Sequence, residues 1–296
     1  MNKQYCVISC PIDTYSGYGA RSRDFVKALY ELKKEEWEIE ILAQRWGATP
    51  WNYIKENSKD WSFLEPYINR TGQLTRQPDV WIQITIPNEF QPVGKFNIGV
   101  TAGIETTICH ASWIDGLNRM NLNFVSSEHA KTVFQNSFFE EKNQQGQSIR
   151  HIKLEKPVEV IFEGVDLNKY FIIEESQLPK TEILESLNDI KETFCYLFVG
   201  HWLQGDIGED RKNVGLMLKT FLETFKGKKS KPALIMKCSG AGSSIMDRDE
   251  ILKKIDVIRN TVGDSDLPNV YLLHGDVKDS SINELYNHPK VKAMIN

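Results

Sequence analysis

The chain has 296 residues, 41% of them hydrophobic and 26% charged, which is the composition of a folded globular protein with length enough for two domains. Its formal net charge of -4 supplies no global positive field for nucleic acid or an anionic membrane. No apolar run is long enough to span a bilayer, and the N-terminal run meets Asp13 too soon for a signal-peptide core, so a cytoplasmic location is expected.

In chain order, Tyr5–Cys10 reads as a first strand, followed by the loop TYSGYGAR. Phe25, Ala28, Leu29 and Leu32 then recur at helical spacing and predict a helix with one buried face. Strands are expected at Glu38–Ala43, Val80–Ile86, Phe96–Thr101, Asn123–Ser126 and Val158–Phe162, with an aperiodic aromatic excursion of short helices from Trp46 to Tyr67. The polar stretch 140–157 reads as a mobile loop. A second series follows Gly164, with strands at Phe194–Val199, Ala233–Cys238, Val270–His274 and Lys292–Ile295 and helices near 213–226, 248–260 and 280–287. Alternation of this kind predicts an α/β fold with mainly parallel sheets, divided into domains at 1–163 and 164–296. The last strand runs straight into the chain end with no covering helix, so the second domain reads as incomplete and the chain as cut short.

The five cysteines (Cys6, Cys10, Cys109, Cys195 and Cys238) are scattered and never form CxxC, which points to free thiols rather than zinc ligands or a disulfide framework. Two DxD tripeptides, Asp247-Arg248-Asp249 and Asp264-Ser265-Asp266, do not follow apolar strands; helix-start charge and turn chemistry account for them, and no metal site is expected.

The most informative stretch is 194–225. An apolar strand ends at Gly200, and a polar loop carries Arg211 and Lys212 to the start of an amphipathic helix. Cations beside the free N–H groups of a helix's first turn make a phosphate or diphosphate site; the alternative is a solvated basic pair. The loop Ser16-Gly17-Tyr18-Gly19 also joins a strand to a helix and lets backbone approach a ligand closely, or is a plain tight turn. A dinucleotide site fits it poorly. Ser22 stands where the third glycine of GxGxxG belongs, and the next strand ends in Gln44 and Arg45 rather than an acid.

Three segments together resemble one family, the retaining nucleotide-sugar glycosyltransferases of the GT-B fold in the glycogen-synthase-like group, family 4. VIFEGVDLNKY (160–170) resembles the interdomain signature, FVG…DRKN…L…F (198–221) the donor-phosphate segment, and YLLHGDVKDSSINELYNHPKVKAMI (271–295) the next strand, loop and helix; NFVSSEHAKTVF (123–134) fits the first domain. The resemblance implies two Rossmann-like domains, acceptor side first and nucleotide-sugar donor side second. It implies transfer of a sugar from a nucleotide diphosphate to a carbohydrate or other hydroxyl acceptor, with retention, no metal and no further cofactor. Arg211 and Lys212 would hold the diphosphate, with Gly17, Gly19 and Gly200 giving room, and His201 standing where the family has an arginine. Ser239, Gly240, Asp276 and Val277 would line the nucleoside pocket. Glu105 and His110 lie where the family has a histidine contacting the sugar or acceptor, and Trp113 stacks on a sugar or packs in the core. The family's glutamate pair beyond a strand like VKAMI does not occur in these 296 residues, so the chain is expected to turn over poorly. A non-catalytic nucleotide- or glycan-binding module and a nucleotide-sugar epimerase of the same fold are the alternatives.

Overall fold

A computed structural model describes residues 3–47, 49–203, 205, 207–210, 212–240, 242, 244–263, 265–275, 277 and 279–295. The chain divides into two compact units, Met1–Gly164 and Val165–Asn296.

The first unit contains β1 (Gln4–Cys10), α1 (Gly17–Lys33), β2 (Trp37–Ala43), α2 (Tyr53–Glu56), α3 (Ser58–Trp61), β3 (Ile68–Asn69), β4 (Val80–Ile84), β5 (Phe96–Val100), α4 (Ala111–Asn118), β6 (Leu122–Val125), α5 (Glu128–Asn136), β7 (Phe138–Lys142), β8 (Ser148–Lys153) and β9 (Val158–Val160). Seven parallel strands form its sheet in the order β3-β2-β1-β4-β5-β6-β9. The strand period of two sorts their side chains onto two faces. Cys6, Ile8, Cys10, Ile41 and Ile82 meet α1–α3 on one face, while Tyr5, Val7, Trp81 and Val125 meet α4 and α5 on the other. Burial on both faces explains why these strands read as continuous apolar runs.

One expectation fails in this unit. The polar stretch 140–157 is not a loop: β7 and β8 form an antiparallel hairpin across most of it. The Asn143 carboxamide accepts from the N–H groups of Gln145 and Gln147, Gly146 takes φ +78, and Ile152 is buried in the core. An Asx turn, one left-handed glycine and one anchoring isoleucine outweigh the polar composition.

The second unit contains α6 (Glu182–Asn188), β10 (Cys195–His201), α7 (Val214–Phe225), β11 (Ala233–Ser239), α8 (Ile245–Val262), β12 (Val270–Leu273), α9 (Asp279–Tyr286) and β13 (Val291–Met294). Its four described strands are parallel in the order β12-β11-β10-β13. Phe198, Leu234, Met236 and Cys238 pack under α7 and α8, and Cys195, Leu197, Ala233 and Ile235 pack against Leu187 and Leu285 of α6 and α9. Val214, Leu218, Phe221 and Leu222 fix α7 on the sheet, each contributing about 1.5–3 kcal/mol by burial. Ahead of α6, Phe171 and Ile173 are tied to α9 by the carboxamides of Asn283 and Asn287.

Both sheets have the doubly wound order 3-2-1-4 at their centre. The chain leaves the central strand toward one edge, then returns to the strand on its other side. Ligands of open α/β sheets bind outside the carboxyl ends of the strands at that reversal. It falls between β1 and β4 in the first unit and between β10 and β13 in the second.

Candidate functional site

In the second unit the reversal point is built from the end of β10. Gly200 pairs with Cys238 and His201 with Ser239 across the parallel ladder. The Lys212 ammonium lies 3.6 Å from where a Cβ on Gly200 would stand, which sets a cation against the strand's glycine. Lys212 and His201 are both exposed. The His201 ring lies with Nδ1 3.2 Å from the Gly240 carbonyl and 3.5 Å from Ser239 Oγ. A carbonyl only accepts, so Nδ1 carries hydrogen and Nε2 is left for another partner. Arg211 and Asp276, two of the expected donor-binding residues, lie outside the described residues.

The helix-amide part of the expected phosphate site is corrected. Asp210 is buried at 3% exposure, and its carboxylate accepts from Val214 N–H at 2.8 Å and Gly215 N–H at 3.2 Å. The chain thus caps α7 itself, leaving those amides no capacity for a phosphate and placing a negative charge at the positive end of the helix. Asn213, at φ +51, makes the left-handed turn that allows this. What the site offers an anion is the Lys212 ammonium beside Gly200.

Gly240 is also explained internally. The Asp247 carboxylate accepts from its N–H at 3.1 and 2.9 Å, and an added Cβ would meet Asp247 Oδ1 at 2.3 Å. Asp247 additionally pairs with His274 Nε2 at 2.7 Å, both side chains largely buried. Sequence reasoning assigned Asp247 to helix-start charge alone. In fact it ties the end of β11 to the loop after β12, and His274, directly after that strand, was the available signal. Ser239 is buried at the strand end, and Val277 follows β12 in the same loop as His274. Of the second DxD, Asp264 lies outside the described residues, and Asp266 sits at φ +59 accepting from Lys231 at 2.6 Å.

In the first unit, Ser16 caps α1 by accepting from Gly19 N–H at 2.9 Å. A Cβ on Gly19 would stand 2.2 Å from the Thr14 carbonyl oxygen, whereas the space around Gly17 is open to 4 Å. The turn's own packing therefore dictates Gly19, and only Gly17 leaves room for a ligand. Ser22 is fully buried and donates to the Tyr18 carbonyl at 2.6 Å, doing at the third position the close packing that a dinucleotide fingerprint gives to glycine. The Tyr18 hydroxyl bridges to Thr101 Oγ1 at 2.9 Å and accepts from Ala102 N–H at 3.3 Å, joining this turn to the loop after β5. Burial raises the pKa of that hydroxyl, so it stays protonated.

That β5 loop carries both residues expected to act on the sugar or acceptor. Glu105 is exposed. His110 is the N-cap of α4: its Nδ1 accepts from Ser112 N–H at 3.2 Å, with Ser112 Oγ at 2.8 Å. With Nδ1 accepting, the neutral ring carries its hydrogen on Nε2, which presents a donor and not a base. Trp113 packs 6.2 Å from the Phe134 ring in the core. All five cysteines are buried and free, and burial pushes the thiols of Cys6, Cys10 and Cys238 up to about 12. Among the described residues, no group of three or more His, Cys, Asp or Glu could hold a metal ion, and no helix is long and apolar enough to cross a membrane.

No family model matches this sequence, and no curated protein matches it. Solved structures do match. HepE of Anabaena, solved in complex with UDP and glucose, aligns with a TM-score of 0.55 at 11% identity, covering 99% of this chain and 73% of HepE. A structure of the trehalose-6-phosphate synthase OtsA aligns at 0.53 and 10% identity, covering 97% and 77%, and an OtsA apo structure at 0.50 and 10%, covering 97% and 76%. At such identity the likeness is one of fold: this chain is α/β with two Rossmann-like units and mainly parallel sheets, as in GT-B glycosyltransferases.

Proposed function

We propose that the chain moves a sugar from a nucleotide-diphosphate donor to a hydroxyl-bearing acceptor, with retention of anomeric configuration and without a bound metal. The second unit would take the donor and the first the acceptor. The observation that carries this reading is the Lys212 ammonium set against Gly200 at the carboxyl end of β10, on the reversal point of its sheet. Breaking the bond between the anomeric carbon and the diphosphate oxygen leaves a negative charge on that oxygen. A cation already in place stabilises the charge as it develops, with no reorganisation at the moment of reaction. Arg211 is the further donor assigned to the diphosphate; His201, whose Nδ1–H goes to the Gly240 carbonyl, donates through Nε2 only as the imidazolium. As the new bond to the acceptor oxygen forms, the acceptor's proton passes to the departing phosphate oxygen, so no protein base is required. In this scheme the Nε2–H of His110 donates to a sugar hydroxyl.

One observation favours a second reading, a non-catalytic nucleotide-binding module of the same fold. Asp210 holds a negative charge at the start of α7 and occupies amides that would otherwise meet a phosphate. Incubation with UDP-, GDP- and ADP-glucose, a mixed panel of saccharide acceptors and EDTA separates the two. The proposal expects release of one nucleoside diphosphate together with a glycoside of unchanged anomeric configuration by NMR. Binding of a nucleotide with no transfer would leave the module reading.

A further inference from the structure

The described strands of the second unit are parallel, so their amino ends gather at one end of the sheet, opposite the strand-end site. The loops entering the neighbouring strands β10 and β11 meet there, with Cys195 paired to Ala233. The second of these loops, 226–231, reads KGKKSK: four lysines in six residues with no acid among them. We propose that this end of the unit docks on an anionic lipid surface, the lysines meeting the headgroups and the Phe194 ring entering the boundary with the acyl chains.

The protein's own bonds divide these cations into two kinds. Lys226 Nζ donates to the Val262 carbonyl at 2.6 Å, and Lys231 Nζ to the Asp266 carboxylate at 2.6 Å. Gly227 turns the chain at φ +69 and donates its N–H to the Asp266 carbonyl at 3.1 Å. These anchors order the loop. Lys228 and Lys229, at its tip, are exposed and have no hydrogen-bond or ion-pair partner among the described residues; the same holds for Lys191, ahead of β10. The carboxylates of this end are engaged elsewhere, Asp266 by Lys231 and Glu192 by Asn269 and the Tyr271 hydroxyl.

An aromatic column supplies the apolar half. Phe194 is 43% exposed, and its ring lies 5.3 Å from Tyr196, which in turn lies 6.0 Å from Phe225, the residue directly before Lys226. An exposed ring backed by packed rings enters an interface with no rearrangement of the fold, and apolar insertion adds to attraction by charge. Residue type favours lipid over other anions. Every cation of the loop is lysine, a hydrated point charge suited to the diffuse field of a leaflet, whereas a bidentate phosphate or carboxylate site draws on the arginine fork. That field falls off within roughly 8–10 Å in physiological salt, so the lysines act locally and the chain's net charge of -4 does not cancel them.

The docking goes beyond sugar transfer and does not depend on it. The test is co-sedimentation of the full chain with vesicles of phosphatidylcholine, alone or mixed with phosphatidylserine, at low and high salt. Wild type is compared with the double variant Lys228→Ala, Lys229→Ala and with Phe194→Ser, and thermal melts check that each folds. Wild type should sediment with the anionic vesicles only. At roughly fivefold per lysine, the double variant should partition roughly 20- to 30-fold less at low salt. Its melt should not move, because both side chains are exposed and unbonded. Phe194→Ser should bind more weakly at both salt concentrations, and if it fails to fold the lysine variant still decides. No sedimentation of wild type at millimolar lipid, equal partitioning to neutral vesicles, or a double variant that behaves as wild type overturns the proposal. Tighter binding to a single-stranded RNA oligonucleotide than to vesicles, lost in the double variant, also overturns it and assigns the lysines to nucleic acid. A folded Phe194→Ser that binds as wild type overturns the insertion.

Discussion

Replacing Gly19 by alanine isolates what the strand-to-helix turn of the first unit demands. The new Cβ would lie 2.2 Å from the Thr14 carbonyl oxygen and 2.6 Å from Thr14 Oγ1. Thr14 has little freedom to yield. Its N–H and hydroxyl both donate to the Pro11 carbonyl, and its own carbonyl accepts from Arg23 at 2.8 Å. Overpacking of this kind costs ~1–3 kcal/mol. Displacing the turn also weakens the Ser16 cap, worth about 1 kcal/mol, and strains a charged hydrogen bond worth ~1.5–3 kcal/mol. Against this, alanine regains up to ~1 kcal/mol of helix propensity. The net loss is roughly 2–4 kcal/mol, which at ~2–4 °C per kcal/mol lowers the melting transition of the first unit by roughly 4–16 °C. Gly17→Ala, two residues away in open space, takes only the propensity gain and leaves the melt unchanged or slightly higher. Scanning calorimetry of both variants decides the matter. A Gly19→Ala melt within 2 °C of wild type (about the effect of 1 kcal/mol or less), or equal damage from Gly17→Ala, would refute the packing account.

Two further predictions concern the second unit. Asp210→Ala strips the cap from α7 and orphans two buried N–H groups, so urea denaturation should show a loss of about 1–3 kcal/mol, with Asp210→Asn losing less because one acceptor oxygen remains. His288 is buried, and desolvation, then the nearby Lys290 charge, holds its pKa below the usual imidazole value. The unfolded chain therefore binds the proton more readily. The contribution from His288 is fully present above its unfolded pKa of about 6.5 and is lost as pH falls toward the folded value, by at most ~1.4 kcal/mol per pH unit. Stability curves from pH 7.5 to 5 should show this slope in wild type and a shallower one in His288→Gln; identical slopes would remove His288 as the source.

Much of the fold was legible because buried parallel strands announce themselves as apolar runs. Ten expected strands and the three helices of the second series lie within a few residues of the observed elements. The β7–β8 hairpin was not, since its signal is local: one Asn side chain and one glycine within a polar stretch. Of the expected donor-side residues, Lys212 does come to Gly200. Hidden were the pairings that spend the polar groups elsewhere. Asp210 takes the α7 amides, Asp247 takes the Gly240 amide and His274, and His110 caps α4. The Asp247 bonds join separate elements, whereas the Asp210 and His110 caps are local and depend on the backbone turn ahead of each helix, which residue spacing alone does not reveal.

The most direct test of the central claim is calorimetric titration of wild type and Lys212→Ala with UDP, GDP and ADP. The account predicts that one nucleotide binds and is weakened in the variant by ~1.5–3 kcal/mol, roughly 10- to 150-fold in Kd. Equal binding by the two proteins, or no nucleotide bound by wild type at millimolar concentration, would contradict it.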